Sequence, residues 1–297
     1  MIMRDTFCTY HPFVTLCYFI VVMAVTMLVM HPFLLFASFA AGAAYSILLN
    51  GRRAARFNLL GVLPMALLAA VLNPMFNHAG VTILGYMGVN PITLESILFG
   101  AAAATAFASV VMWFSCYNRV MTSDKFIYLF GRVIPALSLI ISMALRFVPR
   151  FKERISETAE AQKCIGRGAG QGNVFKRARH GLRILSIVTT WALESAVTTA
   201  DSMRSRGYGL RGRTAFSMYR FDGRDAAVSA CMGAALAVFL AAAFTGNIRI
   251  RFFPSIKINP DTPMAWLGCA AFALFCFLPV ILRIREDIIW RSMLSKI

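Results

Sequence analysis

The sequence predicts an all-α polytopic membrane protein with about six transmembrane helices and a cytoplasmic insert of long amphipathic helices. Its 297 residues are 59% hydrophobic and only 14% charged, whereas soluble domains are about 45–50% apolar and about 25% charged. Several apolar runs approach the roughly 20 residues that a helix needs to cross a bilayer core. About 19 of the 30 Lys and Arg residues lie between residues 118 and 224. This basic part of the chain is therefore predicted to lie on the cytoplasmic side.

Residues 1–117 are predicted to form an N-terminal transmembrane bundle. The His31-Pro32 step separates its first two spans, because a residue before proline disfavours the helical conformation. The positive-inside rule places the basic loop Asn50–Arg56, and with it the N-terminus, in the cytoplasm. The weakly hydrophobic segment Asn73–Pro91 is predicted to be re-entrant or to face the periplasm. The predicted spans of this bundle are Phe13–Met30, Phe33–Leu49, Leu59–Val71 and Thr93–Phe114.

The apolar stretch Ile127–Leu145 lies in the second region, residues 118–225, which is predicted to be cytoplasmic or on the membrane surface. Arg132 and Arg146 lie close to its ends, and Pro135 interrupts it. An arginine near the bilayer centre costs about 2.5–3.5 kcal/mol on insertion scales. A crossing here would also export the basic block that follows. The pattern favours an amphipathic helix on the cytoplasmic membrane face, with a membrane crossing as the alternative.

Two further helices of this region are predicted to end in glycine-containing turns. A charged helix runs from Pro149 to near Arg167, because the glycine-rich run that follows cannot remain helical. A second helix runs from near Arg183 to Arg206, and Gly207 is suited to the left-handed conformation of a helix cap. Apolar residues at three- and four-residue steps give this helix one apolar face: Leu185, Val188, Ala192, Ala196, Ala200 and Met203.

Residues 226–297 are predicted to form the C-terminal transmembrane helices and a basic tail. The two spans are Ala226–Thr245 and Met264–Ile284, and the tail Arg283–Ile297 is assigned to the cytoplasm. The prediction is a multi-pass protein of the inner (plasma) membrane with both termini in the cytoplasm.

The sequence predicts no catalytic residue, cofactor or metal ligand. The four histidines are far apart, the seven cysteines have no CxxC spacing, and a phosphate-binding GxxxxGK[ST] loop is absent. Glu95 is the exception to consider, since an acidic side chain within or at the end of a span is a functional candidate by default. A carboxylate near a helix N-terminus is also electrostatically favoured. We therefore expect Glu95 to have a structural role.

Two short basic turns are the candidate functional motifs. They are Gly166-Arg167-Gly168 and Ser205-Arg206-Gly207, and their arginines are 39 residues apart. An arginine keeps its charge when desolvated and offers five donors in a rigid fork, so it suits an ion pair at a protein interface. On this pattern alone, ordinary helix capping and docking of a partner protein both remain open.

Several segments around these turns carry a resemblance to a known family. They are Leu145-Arg146-Phe147-Val148-Pro149, Glu157, Ala161-Gln162, the run Asp201–Gly209, and Arg213-Thr214. The chain resembles the transmembrane T component of energy-coupling factor (ECF) transporters, the EcfT/CbiQ-like family. The two Ala-Arg-Gly motifs of that family correspond to the two basic turns, with another small residue in place of alanine.

The resemblance implies a subunit without catalytic activity that couples two ABC-type ATPase subunits to one substrate-binding S component. The amphipathic helices of the insert would be the coupling helices. Arg167 and Arg206 would anchor them in the ATPases, with Arg204, Tyr208 and Arg213 as neighbouring contacts. The other implied partner is membrane lipid, and nucleic acid is not one. The imported micronutrient, a vitamin or a transition metal ion, stays open.

Three alternatives stay open, of which the first is also a transporter subunit and the other two belong to other classes. A conventional ABC permease lines its own substrate path and normally has one coupling helix per subunit, whereas two are predicted here. An intramembrane enzyme requires paired acids or histidines within the spans. A membrane-anchored nucleic-acid binder requires aromatic residues interleaved with the basic ones, and the insert has few outside its apolar faces.

Overall fold

The computed structural model describes residues 6–87, 90–131, 134–168, 170, 173–208, 210, 219–245, 250–255, 257–258 and 263–294. Helices make up most of these residues, which confirms the all-α prediction. The helices are α1 (Pro12–Leu28), α2 (Pro32–Asn50), α3 (Arg52–Phe57), α4 (Leu63–Phe76), α5 (Leu94–Val120), α6 (Ser123–Gly131), α7 (Pro135–Cys164), α8 (Val174–Ser205), α9 (Gly223–Phe244) and α10 (Pro263–Leu294). A 3₁₀ turn, Thr6–Thr9, precedes α1, and a π-helical turn, Asn58–Val62, joins α3 to α4.

Five helical segments of the described residues are long and apolar enough to cross a membrane. They are Pro32–Asn50, Arg52–Phe76, Leu94–Val120, Gly223–Phe244 and Pro263–Met293. Helix α1 is also apolar but has only 17 residues. These six elements overlap the six predicted spans, which confirms the polytopic membrane class, and the last continues past Ile284 into the predicted tail. The third is longer than predicted, because the helix continues from Arg52 through the π-helical turn.

The chain divides into two compact units. Unit 1 contains Met1–Lys125 and Tyr219–Ile297, so the N-terminal and C-terminal transmembrane helices pack together. Unit 2 contains Phe126–Met218 and includes α7 and α8.

Aromatic side chains fill the core of unit 1. Trp113 on α5 is completely buried, and its indole Nε1 donates a hydrogen bond to Ser38 Oγ at 3.0 Å. Its ring lies edge-on to Tyr18 and Phe19 of α1, with centroids 5.8 and 6.2 Å away. Tyr18 donates its phenolic proton to the carbonyl of Cys276 on α10 at 2.9 Å. The core therefore joins α1, α2, α5 and α10, and each buried polar atom named here has a partner.

Two short antiparallel hairpins, which the sequence analysis did not predict, connect helices of unit 1. Strands β1 (Ile83–Met87) and β2 (Asn90–Thr93) lie between α4 and α5; β1 is within the segment Asn73–Pro91 predicted to be re-entrant or periplasmic, and β2 extends two residues past it. Strands β3 (Ile250–Arg251) and β4 (Lys257–Ile258) lie between α9 and α10. Strands β1 and β2 have five and four residues, and β3 and β4 have two each. Strands this short contain too few side chains for the alternating apolar pattern that predicts a strand.

Glu95 fastens the first hairpin to the start of α5. Its side chain is 2% exposed and accepts hydrogen bonds from the Thr82 hydroxyl at 2.8 Å and the Thr82 backbone N–H at 3.2 Å. Thr93 caps α5 by accepting from Ser96 N–H, and donates its own hydroxyl to the carbonyl of Ala79. This geometry matches the structural role expected for the carboxylate.

Gly80 in this loop has no room for a side chain. Its φ is +143°, and a Cβ there would lie 2.6 Å from Glu95 Oε2 and 2.7 Å from Thr93 Oγ1. We expect Gly80→Ala to lower the free energy of unfolding by about 1–3 kcal/mol from the strained positive φ, with a further loss from the steric clash. Thermal unfolding in detergent measures this. Gly85→Ala is the matched control, because a Cβ at Gly85 meets no atom within 4 Å. Equal midpoints for the two variants would contradict the prediction.

Asp225 joins the segment before α1 to the start of α9. The carboxylate is 5% exposed and accepts from the backbone N–H of His11 and of Asp222, both at 3.0 Å. Burial raises the pKa of the neighbouring Tyr10 phenol above its ordinary value.

We expect Asp225→Ala to destabilise unit 1 by about 1.5–3 kcal/mol, the usual loss for hydrogen bonds to a charged group. The measurement is the thermal midpoint in detergent. Asp201→Ala removes an exposed carboxylate from α8 and should leave the midpoint unchanged. A midpoint for Asp225→Ala equal to that of the control would show that the two hydrogen bonds do not hold the N-terminal segment.

Three predictions about the insert require correction. The stretch Ile127–Leu145 is not one helix: α6 ends at Gly131, and α7 begins at Pro135. Proline at the first helical position is favourable, because the missing N–H would have no partner there. The predicted charged helix is not separate either, since α7 runs on through Pro149 to Cys164.

The second predicted helix starts earlier than expected. Helix α8 begins at Val174 rather than near Arg183, with Asn173 Oδ1 accepting from the Val174 N–H at 2.8 Å. Asparagine is among the best N-cap residues, so Asn173 is a signal in the sequence for this earlier start.

Candidate functional site

Helices α7 and α8 pack against each other, and one of the two basic turns follows each helix. Trp191 of α8 packs edge-on against Phe151 of α7, with ring centroids 5.8 Å apart. The guanidinium groups of Arg150 and Arg154 each lie 5.4 Å from the centroid of the same indole. Such contacts are worth about 0.5–1 kcal/mol each at exposed sites. Trp191 therefore fixes α8 against the second half of α7.

The end of α7 is closed by a Schellman motif. The N–H of Gly166 donates to the carbonyl of Lys163 at 3.0 Å, and the N–H of Arg167 donates to that of Gln162 at 2.9 Å. Gly166 has a φ of +74°, in the left-handed region that glycine adopts at helix ends. The cap residue is Ile165, with φ −94° and ψ 19°. We call residues 165–167 the α7 tip.

The end of α8 repeats this geometry. The N–H of Gly207 donates to the carbonyl of Arg204 at 3.0 Å, and the N–H of Tyr208 donates to that of Met203 at 3.1 Å. Gly207 has a φ of +75°. The cap residue is Arg206, with φ −85° and ψ 7°. We call residues 206–208 the α8 tip.

The two predicted anchors occupy different positions in these equivalent caps. Arg206 is the cap residue of α8 and precedes the left-handed glycine, as the sequence analysis predicted. Arg167 instead follows the left-handed Gly166. Helix α7 ends at Cys164, three residues before Arg167, because Gly166 is the first glycine that can reverse the chain. The counterpart of Arg206 is thus Ile165, which the sequence analysis did not single out.

Most of the predicted docking side chains face outward. Arg167, Arg204 and Arg206 are exposed, and none forms an ion pair within the part of the chain that the structure describes. Tyr208 is half-buried and Gly168 is buried. Ser205 donates its hydroxyl to the carbonyl of Ser202 at 2.9 Å. Arg213, the remaining predicted contact, lies outside the described residues.

The site offers exposed positive charge on two helix ends whose backbone is held by cap hydrogen bonds. Basic side chains at a helix C-terminus are stabilised by the helix dipole, so the cap position favours Arg206. Among the described residues, no group of three or more His, Cys, Asp or Glu side chains is placed to hold a metal ion. The arrangement can bind acidic surfaces through the guanidinium groups of arginines whose backbone is already held by the cap hydrogen bonds.

Comparison with known proteins gives a consistent set of relatives, although no protein-family model matches the chain. An energy-coupling factor transporter transmembrane protein EcfT from Lacticaseibacillus paracasei is 26% identical over 183 residues, covering 57% of this chain and 69% of that protein. The EcfT protein of Lactobacillus helveticus is 33% identical over 93 residues, or 31% of this chain. The EcfT protein of Lactococcus lactis subsp. cremoris is 33% identical over 90 residues, or 30% of this chain. The chain spans only about a third of the length of these two relatives.

Proposed function

We propose, from the confirmed resemblance of this chain to the EcfT-like family, that it is the transmembrane coupling subunit of an ECF-type ABC importer. It would transmit the ATP-driven motion of two cytoplasmic ATPase subunits to a substrate-binding S component for uptake of a vitamin or transition metal ion. Its place would be the inner (plasma) membrane, with both termini in the cytoplasm. The observation that carries this proposal is the pair of identically capped helix ends, each presenting an exposed arginine.

The docking step uses Arg167 and Arg206 as anchors. Each guanidinium would pair with acidic side chains in a groove of one ATPase subunit. The cap hydrogen bonds support this role, because they hold the backbone at both tips before a partner binds. Preorganised binding groups lose less conformational entropy on association. Arg204, Tyr208 and Arg213 would add neighbouring contacts.

The transmission step uses the length of α7 and α8. They contain 30 and 32 residues, or roughly 45–48 Å at about 1.5 Å per residue. When ATP closes the ATPase pair, the tips would move with it and the helices would carry that motion toward the membrane. Trp191 supports this, since it ties α8 to α7 next to Phe151.

The platform for the S component would be the apolar surface of these two helices. Exposed apolar side chains occur along both, although each helix also carries many charges. Examples are Ile140, Val148, Phe175, Leu182, Leu193 and Val197, which are 61–82% exposed. Large exposed apolar side chains that gather on a helix surface are typical of a binding site for protein or membrane.

The test is co-purification from native membranes in mild detergent, with mass spectrometry of the proteins recovered. Wild type is expected to bring down two ABC ATPase subunits and a small membrane protein, whose identity names the cargo. The double variant Arg167→Glu, Arg206→Glu should lose the ATPases, and its matched control is Arg179→Glu, Arg183→Glu on the same insert.

Two outcomes would overturn the proposal. A wild-type protein that is recovered without ATPase subunits is not a coupling subunit. ATPases recovered without a small membrane protein, together with uptake by the two-component complex alone, would identify a conventional ABC permease instead.

A further inference from the structure

The two tips have the same backbone but not the same order of side chains. Both caps use the same two hydrogen bonds, the glycine φ values are +74° and +75°, and the cap residues share one backbone conformation. Side chains at corresponding positions therefore leave the two backbones in the same directions. The two tips therefore differ in which side chain stands at each corresponding position, and not in backbone geometry.

The cap position holds an apolar residue on one tip and a cation on the other. Ile165 is 60% exposed at the α7 tip, and Arg206 is exposed at the corresponding place on the α8 tip. A β-branched apolar side chain at an exposed helix end gains nothing from the helix dipole there, whereas an arginine does. Ile165 is thus poorly explained by stability of α7 alone.

The position after the glycine shows the reverse arrangement. Arg167 follows Gly166 on the α7 tip, and Tyr208 follows Gly207 on the α8 tip. In a Schellman motif this position usually holds an apolar residue that packs on the last helical turn. Tyr208 fits that pattern and is half-buried, whereas Arg167 is exposed.

We infer that the two tips dock with opposite polarity, so that the ATPase surfaces receiving them are different. The α8 tip would enter a groove that offers acidic side chains at the cap position and an apolar wall beyond the glycine. The α7 tip would enter one that offers an apolar pocket for Ile165 and acidic side chains for Arg167. This inference rests on the proposed function, and it adds Ile165 to the docking residues.

The discriminating variant exchanges the two side chains of the α7 tip, Ile165→Arg with Arg167→Ile. It preserves composition, net charge and the cap glycine. It also places arginine and isoleucine where a helix end favours them, so α7 should be at least as stable as in the wild type. Circular dichroism and the thermal midpoint check this directly.

The measurement is the Kd of the purified ATPase pair for the detergent-solubilised chain, compared between wild type and each variant. We expect the exchanged variant to bind at least about tenfold more weakly than wild type. Ile165→Ala, which removes no charge, should also weaken binding about tenfold, with the salt dependence unchanged.

Each outcome bears on a separate claim. If the exchanged variant and Ile165→Ala bind like wild type while Arg206→Glu does not, opposite polarity is wrong and the proposed function stands. If wild type itself binds no ATPase, both are wrong.

Discussion

Under the proposed coupling function, replacing Arg206 with glutamate is expected to weaken ATPase binding by roughly thirty-fold to several-thousand-fold. Loss of one partner from a buried, hydrogen-bonded charge pair typically costs about 2–5 kcal/mol, because the other charge stays desolvated without compensation. A glutamate at this position also meets the negative end of the α8 dipole. Titration of purified ATPase pair against the chain in lipid nanodiscs measures the change in Kd.

The control for this experiment is Arg179→Glu on the same helix. Arg179 is exposed near the start of α8, 27 positions before Arg206, and its substitution changes the net charge by the same amount. We expect its Kd to stay within about threefold of wild type at physiological salt, where exposed charges farther apart than roughly 8 Å are largely screened. Equal weakening by both variants would mean that binding responds to overall charge and not to the α8 tip.

Replacing Trp113 with alanine is expected to give the largest loss of stability in unit 1. The indole is completely buried and packs against rings from α1 and α2. Truncating a buried tryptophan costs about 3–5 kcal/mol through lost contacts and the cavity left behind. Association of helices in a membrane depends on such close packing. Ser38 would also lose the hydrogen bond from the indole Nε1.

Chemical denaturation in mixed micelles measures this change in the free energy of unfolding. Phe114→Ala is the neighbouring control, because Phe114 is 53% exposed on the same helix. We expect the control to cost less than half as much. A loss for Trp113→Ala no larger than that of the control would show that the aromatic core relaxes around the missing ring.

The membrane part of the fold could be predicted because long apolar runs carry a strong signal. The spans α2, α5, α9 and α10 overlap their predicted ranges, since a bilayer fixes both the composition and the length of a crossing helix. The hairpins could not be found in this way. Strands of two to five residues, such as Ile83–Met87, contain too few side chains for a periodic pattern.

The helix boundaries of the insert were harder to predict, because a proline there can indicate either the start of a helix or a break in one. Pro135 looked like an interruption, although proline is favourable at the first position of a helix, and Pro149 looked like a start, although α7 passes through it. The candidate site depended on the same kind of choice. Four glycines lie between residues 166 and 172, and the sequence alone does not show which one adopts the left-handed conformation. That choice decides whether Arg167 lies before or after the cap glycine.

Pro149 gives α7 an uneven stiffness along its length. The proline ring removes one backbone hydrogen bond, to the carbonyl of Leu145, so bending there is cheaper than elsewhere in the helix. The contacts of Trp191 with Arg150, Phe151 and Arg154 all lie on the tip side of that point. The tip side of α7 is therefore braced by α8, while residues 135–148 lie on the other side of the proline. A force applied at the tip would therefore bend α7 more readily at Pro149 than elsewhere along the helix.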